Sequence, residues 1–211
     1  MTPAHGKVGA AVLAMTACAS AALAQATAAP PPSATAPRPD VSVVLAVSRP
    51  ADAVFREAYG SATVPLSGQV DWPVGRRGLV LFGGVRHARA SGSAVAEPVT
   101  AGAEQPLRFR MTSARVGAGW RLHAEGWTVT AAGGPSVNWY REEWEGLGLA
   151  VKGRAVGLTV QLSGARPISR RLAVVARGEF TTANASPRQD PALPEADLGG
   201  FDLGGGFVFR F

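Results

Sequence analysis

Few residues in this chain could carry acid–base or nucleophilic chemistry. The histidines are His5, His87 and His123, and the single cysteine is Cys18. His5 and Cys18 lie in an N-terminal stretch that reads as removable. His87 runs into Ala88-Arg89-Ala90-Ser91, and His123 into Ala124-Glu125-Gly126. Neither spacing builds a Ser–His–acid relay or a set of metal ligands. One cysteine also gives no disulfide framework and no cysteine zinc site. The adjacent carboxylates Glu142-Glu143 read as solvated loop charge. The expectation is therefore a protein with no catalytic, cofactor-binding or metal site, and not an enzyme.

The charge that remains is mostly arginine. The formal net charge is +6, and the lysines are only Lys7 and Lys152. Arginines are spread along the chain and do not gather into a basic stripe, which argues against a nucleic-acid partner. At 211 residues the chain accommodates one domain with tails. Outside the N-terminus no apolar run approaches the ~18 residues of a membrane-spanning helix.

The elements that must position these charges begin after an address and a tail. Residues 1–26 read as a secretory signal peptide: His5 and Lys7, the apolar run Val8 to Ala17, then A-x-A sites at Ala22-Leu23-Ala24 and Ala24-Gln25-Ala26. An alternative is that Met15-Thr16-Ala17-Cys18 resembles a lipoprotein processing box, which leaves the cleavage site and lipidation at Cys18 open. Residues 27–39 form a Pro/Ala-rich flexible tail.

From residue 40 to 211 the pattern is period-2 alternation in eight stretches. They are, approximately, Val41 to Ser48, Ala62 to Pro73, Gly78 to Ala90, Leu107 to Leu122, Trp127 to Glu143, Val151 to Arg166, Arg171 to Thr182 and Gly199 to Phe211. Connections alternate long and short, starting with the long Arg49 to Gly60. Two irregularities are expected. Leu107, Phe109 and Met111 have the opposite parity to Val116, Ala118 and Trp120, which predicts a bulge near Thr112 to Ala114. Pro135 predicts a bulge or kink in the fifth stretch.

One face of each stretch is apolar and the other small or charged. Arg86, Arg115, Arg177, Glu179 and Asp202 are expected at mid-height on the charged face, with Asp71, Arg121 and Arg210 lower. Aromatic residues gather at stretch ends: Trp72, Trp120, Trp127 and Phe211 beside short turns, and Tyr59, Trp139, Tyr140 and Trp144 near long loops.

The last stretch, GGFDLGGGFVFRF, places Phe207, Phe209 and Phe211 on one face and ends on an aromatic residue. It resembles the closing strand of small eight-stranded bacterial outer-membrane β-barrel proteins, with Gly206, Phe209 and Phe211 in the signature places. That resemblance implies an all-β fold: an antiparallel up-and-down eight-stranded transmembrane β-barrel with short periplasmic turns and longer extracellular loops. It further implies a Gram-negative outer-membrane location, a structural or surface-interaction role, and recognition of the C-terminal strand by the barrel insertion machinery. An outer-membrane lipid A deacylase, an enzyme on a similar barrel, carries a late His-x-Ser-Asn stretch. His87 to Ser91 departs from it in spacing, composition and position.

Three further expectations follow from that architecture. The charged face fills a narrow lumen with paired side chains and plugs it, the chain being a monomer. A narrow channel is one alternative; a soluble periplasmic lipocalin-like barrel, apolar face inward around an apolar ligand, is the other. Finally, Arg89, Arg141, Lys152 and Arg154 share the lipid-facing parity at the outer ends of their strands. Arg141, Lys152 and Arg154 are expected to form a basic patch at headgroup level, suited to outer-membrane lipid and lipopolysaccharide phosphates.

Overall fold

The computed structural model describes residues 38–75, 77–95, 104–185 and 196–211. The expected signal peptide and most of the expected flexible tail lie outside the described residues. From Asp40 onward the chain forms β1 (Asp40–Pro50), helix α1 (Ala53–Tyr59), β2 (Leu66–Val74), β3 (Leu79–Val95), β4 (Glu104–Ala124), β5 (Trp127–Trp144), β6 (Leu149–Pro167), β7 (Leu172–Ala185), the two-residue β8 (Ala196–Asp197) and β9 (Gly200–Arg210). Each long strand pairs antiparallel with its neighbour in sequence, and β9 pairs with both β7 and β1. The sheet is therefore closed as an eight-stranded up-and-down barrel, β8 being a short addition at the end of β7. Closure removes the free edges that an apolar terminal strand would otherwise expose.

Alternation decides which side chains enter the lumen. Leu45, Val47, Val116, Leu158, Val160, Leu203 and Phe207 stand outside and exposed, while Ser42, Gln69, Arg115, Thr130, Gln161, Arg177, Glu179 and Asp202 are buried inside. A lipocalin-like arrangement needs the reverse, so the faces of this barrel rule that alternative out.

Neither expected bulge forms. β3 and β4 keep one register from Leu79↔Trp120 to Val95↔Glu104. Leu107, Phe109 and Met111 simply continue the inward parity of Arg115, and Arg108 and Arg110 point outward. At Pro135 the register to β6 also runs through without an inserted residue, as Pro135↔Leu158. The missing proline N–H instead coincides with a gap in the β4–β5 ladder between Arg115↔Ser136 and Ala118↔Gly133.

The inward apolar group on β4 is explained by α1, which the sequence pattern had suggested was a plain loop. Asp52 caps its start, accepting from the Phe55 N–H at 3.0 Å, and Gly60 ends it at φ 89°. Phe55 and Tyr59, four residues apart, share one helix face. They pack on Phe109 with ring centroids 4.9 and 5.6 Å away. Leu107, Met111, Tyr140, Trp144 and Leu198 complete this cluster. Gly92 lets the helix dock against β3, since a Cβ there would run into the Ala58 carbonyl. Burial, and then the nearby Glu142 carboxylate, raise the Tyr59 phenol well above its ordinary range.

The loop end is also more strand-like than expected. β3 runs on to Val95 and β4 starts at Glu104, within the expected loop Ser91 to Pro106. Glu145 to Gly148 joins β5 to β6, no longer than the turn Ile168 to Arg171 between β6 and β7. The strict long–short alternation therefore fails at this hairpin.

Candidate functional site

Two side-chain groups carry the chemistry of this barrel: charges inside the lumen and cations on its outer rim.

Inside, four of the five residues expected at mid-height meet in pairs. Glu179 on β7 and Asp202 on β9 are direct cross-strand partners. Each carboxylate receives an arginine from the opposite wall. Arg115 of β4 pairs with Glu179 through Nη1, both side chains being almost fully buried. Arg86 of β3 reaches Asp202 through Nε at 2.6 Å and Nη2 at 3.0 Å, and Nη2 also donates to Ser48 Oγ at 3.0 Å. A two-pronged guanidinium–carboxylate contact of this kind is among the stronger polar interactions available. Lower down, Arg121 bridges Asp40 at 2.7 Å and Asp71 at 3.2 Å. Asp40 was not among the expected interior acids, although its place at the start of β1 on the inward parity was readable.

Arg177 is placed differently from its neighbours. It is buried on the same face as Glu179, yet its recorded partner is Ser42 Oγ, reached by Nη2 at 2.8 Å. Arg210, nearer the terminus, reaches Thr128 Oγ1 at 3.4 Å. Between the ion-pair layer and the aromatic cluster lies a cavity of about 30 Å³, lined by Phe55, Phe109 and Met111 on one side and Arg115, Glu179 and Asp202 on the other.

The two histidines stay outside this layer. His87 is on the outer face, its Nδ1 3.0 Å from Thr112 Oγ1 and its Nε2 accepting from Arg89 Nε at 3.0 Å. His123, at the turn end of β4, has Nδ1 3.1 Å from Thr128 Oγ1. Neither lies beside a nucleophile and an acid in these contacts.

On the outer face, lateral rows can be read across β3, β4, β5 and β6 from their registers. Leu79, Trp120, Ala131 and Leu162 form one row, and Val85, Ala114, Val137 and Val156 another, with apolar or small residues between. The next row outward is His87, Thr112, Trp139 and Arg154. Beyond it comes Arg89, Arg110, Arg141 and Lys152, four cations in direct register. The β5 segment from Trp127 to Trp139 covers about 40 Å of strand and, at a tilt near 40°, about 30 Å of height. That matches the hydrocarbon thickness of a bilayer, ~30 Å.

The aromatic girdles are correspondingly unequal. Trp72, Trp120, Trp127 and Phe211 are all exposed at the turn end, as expected. Arg166 lies over the Trp127 ring at 5.8 Å. At the loop end only Trp139 of the expected set faces outward. Tyr59, Tyr140 and Trp144 turn into the interior cluster, because Tyr140 and Trp144 share the parity of the buried Asn138 and Tyr59 rides on α1.

A closed eight-stranded antiparallel barrel with an apolar exterior and a charged interior has the fold of the small outer-membrane β-barrel proteins. Among solved structures, Neisserial surface protein A is similar over 84% of this chain and 98% of its own, with a TM-score of 0.55 at 9% identity. A major outer membrane protein from Thermus thermophilus is similar over 82% of this chain and 99% of its own, with a TM-score of 0.52 at 12% identity. At such low identity the likeness is one of fold. No protein-family description and no curated protein matches the sequence.

Proposed function

We propose that this protein is a monomeric, integral outer-membrane barrel with a sealed lumen, serving a structural or surface-interaction role without catalysis. The observation that carries this reading is the inversion of its faces. A continuous band of exposed Val, Leu, Phe and Trp side chains surrounds an interior of arginine–carboxylate pairs. Water-soluble monomers rarely expose apolar patches beyond a few hundred Å², and hydrocarbon is the solvent that such a band suits.

Sealing is supported by two stacked layers. The cross-lumen pairs Arg115–Glu179 and Arg86–Asp202 occupy mid-height, and the aromatic cluster under α1 closes the loop end. An eight-stranded barrel is narrow enough for side chains to fill. The similar Neisserial protein is described as a surface protein and the Thermus protein as a major outer membrane protein, which fits a role at the cell surface. The monomeric reading is favoured by the closed sheet, which leaves no long edge for a second copy. The apolar C-terminal strand, with Phe207, Phe209 and Phe211 outward, suits recognition by the barrel insertion machinery.

Two measurements test the reading. Membrane fractionation with heat-modifiability on gels is expected to place the protein with the outer membrane, folded and requiring detergent; recovery in the soluble fraction overturns it. Single-channel recording in planar bilayers is expected to show no steps for the wild type. Steady conductance there favours the narrow channel and removes the seal.

A further inference from the structure

We propose that the row Arg89–Arg110–Arg141–Lys152 is a binding site for the phosphates of lipopolysaccharide in the outer leaflet. The inference deepens the membrane reading above and rests on it. Registers place Arg89 opposite Arg110, Arg110 opposite Arg141, and Arg141 opposite Lys152 on four successive strands. All four residues are on the exposed face. Directly opposed side chains in an antiparallel pair have Cβ atoms only about 5 Å apart, and like charges placed so destabilise the sheet. Three such pairs in one line therefore oppose folding unless an anion lies along them.

Neighbouring acids offset little of this charge. Among the described residues, the ion pairs on this face are Arg141–Glu143 at 2.5 Å and Arg108–Glu145, both partly exposed. Exposed pairs of this sort contribute about 0–1 kcal/mol. Arg89 is turned toward His87 and forms none of these pairs.

Position selects the anion. The row lies one step outside Trp139 and Arg154, beyond the last wholly uncharged row, Val85–Ala114–Val137–Val156. Indole rings favour the boundary between hydrocarbon and headgroups, so the row stands at the level of headgroup phosphates. Its three inter-strand steps of about 4.8 Å make it about 14 Å long; because strands tilt near 40°, it extends about 11 Å along the bilayer surface and climbs about 9 Å through the headgroup layer. A bisphosphorylated glycolipid can engage such a line at both phosphates, and the guanidinium fork matches phosphate oxygens. Arg154, one row nearer the hydrocarbon, is placed to meet the same headgroup from below.

The test uses the full-length folded protein in detergent micelles, with bisphosphorylated lipid A, its dephosphorylated form, phosphatidylglycerol and inorganic phosphate as probes. Replacing Arg110, Arg141 and Lys152 together by Gln is expected to weaken bisphosphorylated lipid A binding by about tenfold or more. Replacing the exposed turn-end residues Arg77, Arg170 and Arg171 by Gln is expected to leave binding unchanged. A stability measurement gives an independent readout. Without lipid A the triple variant unfolds at higher temperature than wild type, because like-charge repulsion is relieved; with lipid A the order reverses. Equal lipid A binding by wild type and triple variant overturns the proposal. So does equal competition by phosphatidylglycerol or inorganic phosphate, or an unchanged stability order. A barrel that folds in detergent but ignores lipid A sinks this site alone, whereas a protein soluble without detergent sinks the membrane reading as well.

Discussion

Glu179 and Asp202 face each other across β7 and β9, two carboxylates in direct register inside a narrow barrel. Their coexistence depends on arginines from the far wall, Arg115 for one and Arg86 for the other. The closing strand is thus tied to the opposite side of the barrel as well as to its two neighbours.

Breaking one of these ties leaves an uncompensated buried charge. Arg115→Met should destabilise the folded barrel by about 3–5 kcal/mol. The double change Arg115→Met with Glu179→Leu should recover most of the loss, because an apolar pair needs no counter-charge. Urea unfolding followed by the gel shift of folded against unfolded protein measures both; equal stability of single and double variants contradicts the pairing.

Barrel closure needs the absence of a side chain at Gly206. A Cβ there meets the carbonyl oxygen of Val43 on β1, where Val44↔Gly206 is part of the closing register. Gly206→Val is expected to cost more than the ordinary penalty of a surface change, typically within about 0.5 kcal/mol. Loss of the heat-modifiable form reports the failure, and a Val variant as stable as wild type refutes this contact.

Removing Phe211 should separate assembly from stability. The residue is exposed beyond the last paired position, Arg210, so its deletion removes little packing. Folding yield in cells is expected to fall sharply, while the unfolding midpoint of purified protein stays near that of wild type. A matched fall in both would assign Phe211 a purely structural part.

Tyr59 gives the helix α1 a pH dependence. Its phenol is raised above 10.0 in the folded protein by burial and by Glu142. The unfolded chain ionises first, so the stabilisation is whole below pH 10 and declines as pH rises beyond it. Thermal midpoints between pH 8 and 11 should therefore fall more steeply for wild type than for Tyr59→Phe. Parallel curves would show that the phenol is not shielded.

The legible part of this fold was local. Alternation of apolar and charged residues assigned the strand faces apart from the first part of β4, because successive side chains leave a strand on opposite sides whatever the tertiary setting. Arg86, Arg115, Arg177, Glu179 and Asp202 were placed inside on that ground, and Arg141 and Lys152 outside. Helix α1 was less visible: its seven residues, Ala53–Tyr59, are too few to establish a helical period, although Asp52 ahead of Phe55 and Tyr59 was a usable signal.

Register and partnership were decided by the closed sheet. Leu107, Phe109 and Met111 look like a lipid-facing run out of phase, and a bulge would have turned Arg108 and Arg110 inward. The uninterrupted β3–β4 ladder keeps those arginines outside, since α1 supplies the apolar surface that the inward residues need. That one difference completes the cationic row. Likewise, alternation tells that Arg115 and Glu179 are both inside, but they are separated by 64 positions in sequence. Their meeting follows from strand order and shear around the barrel, which no local pattern encodes.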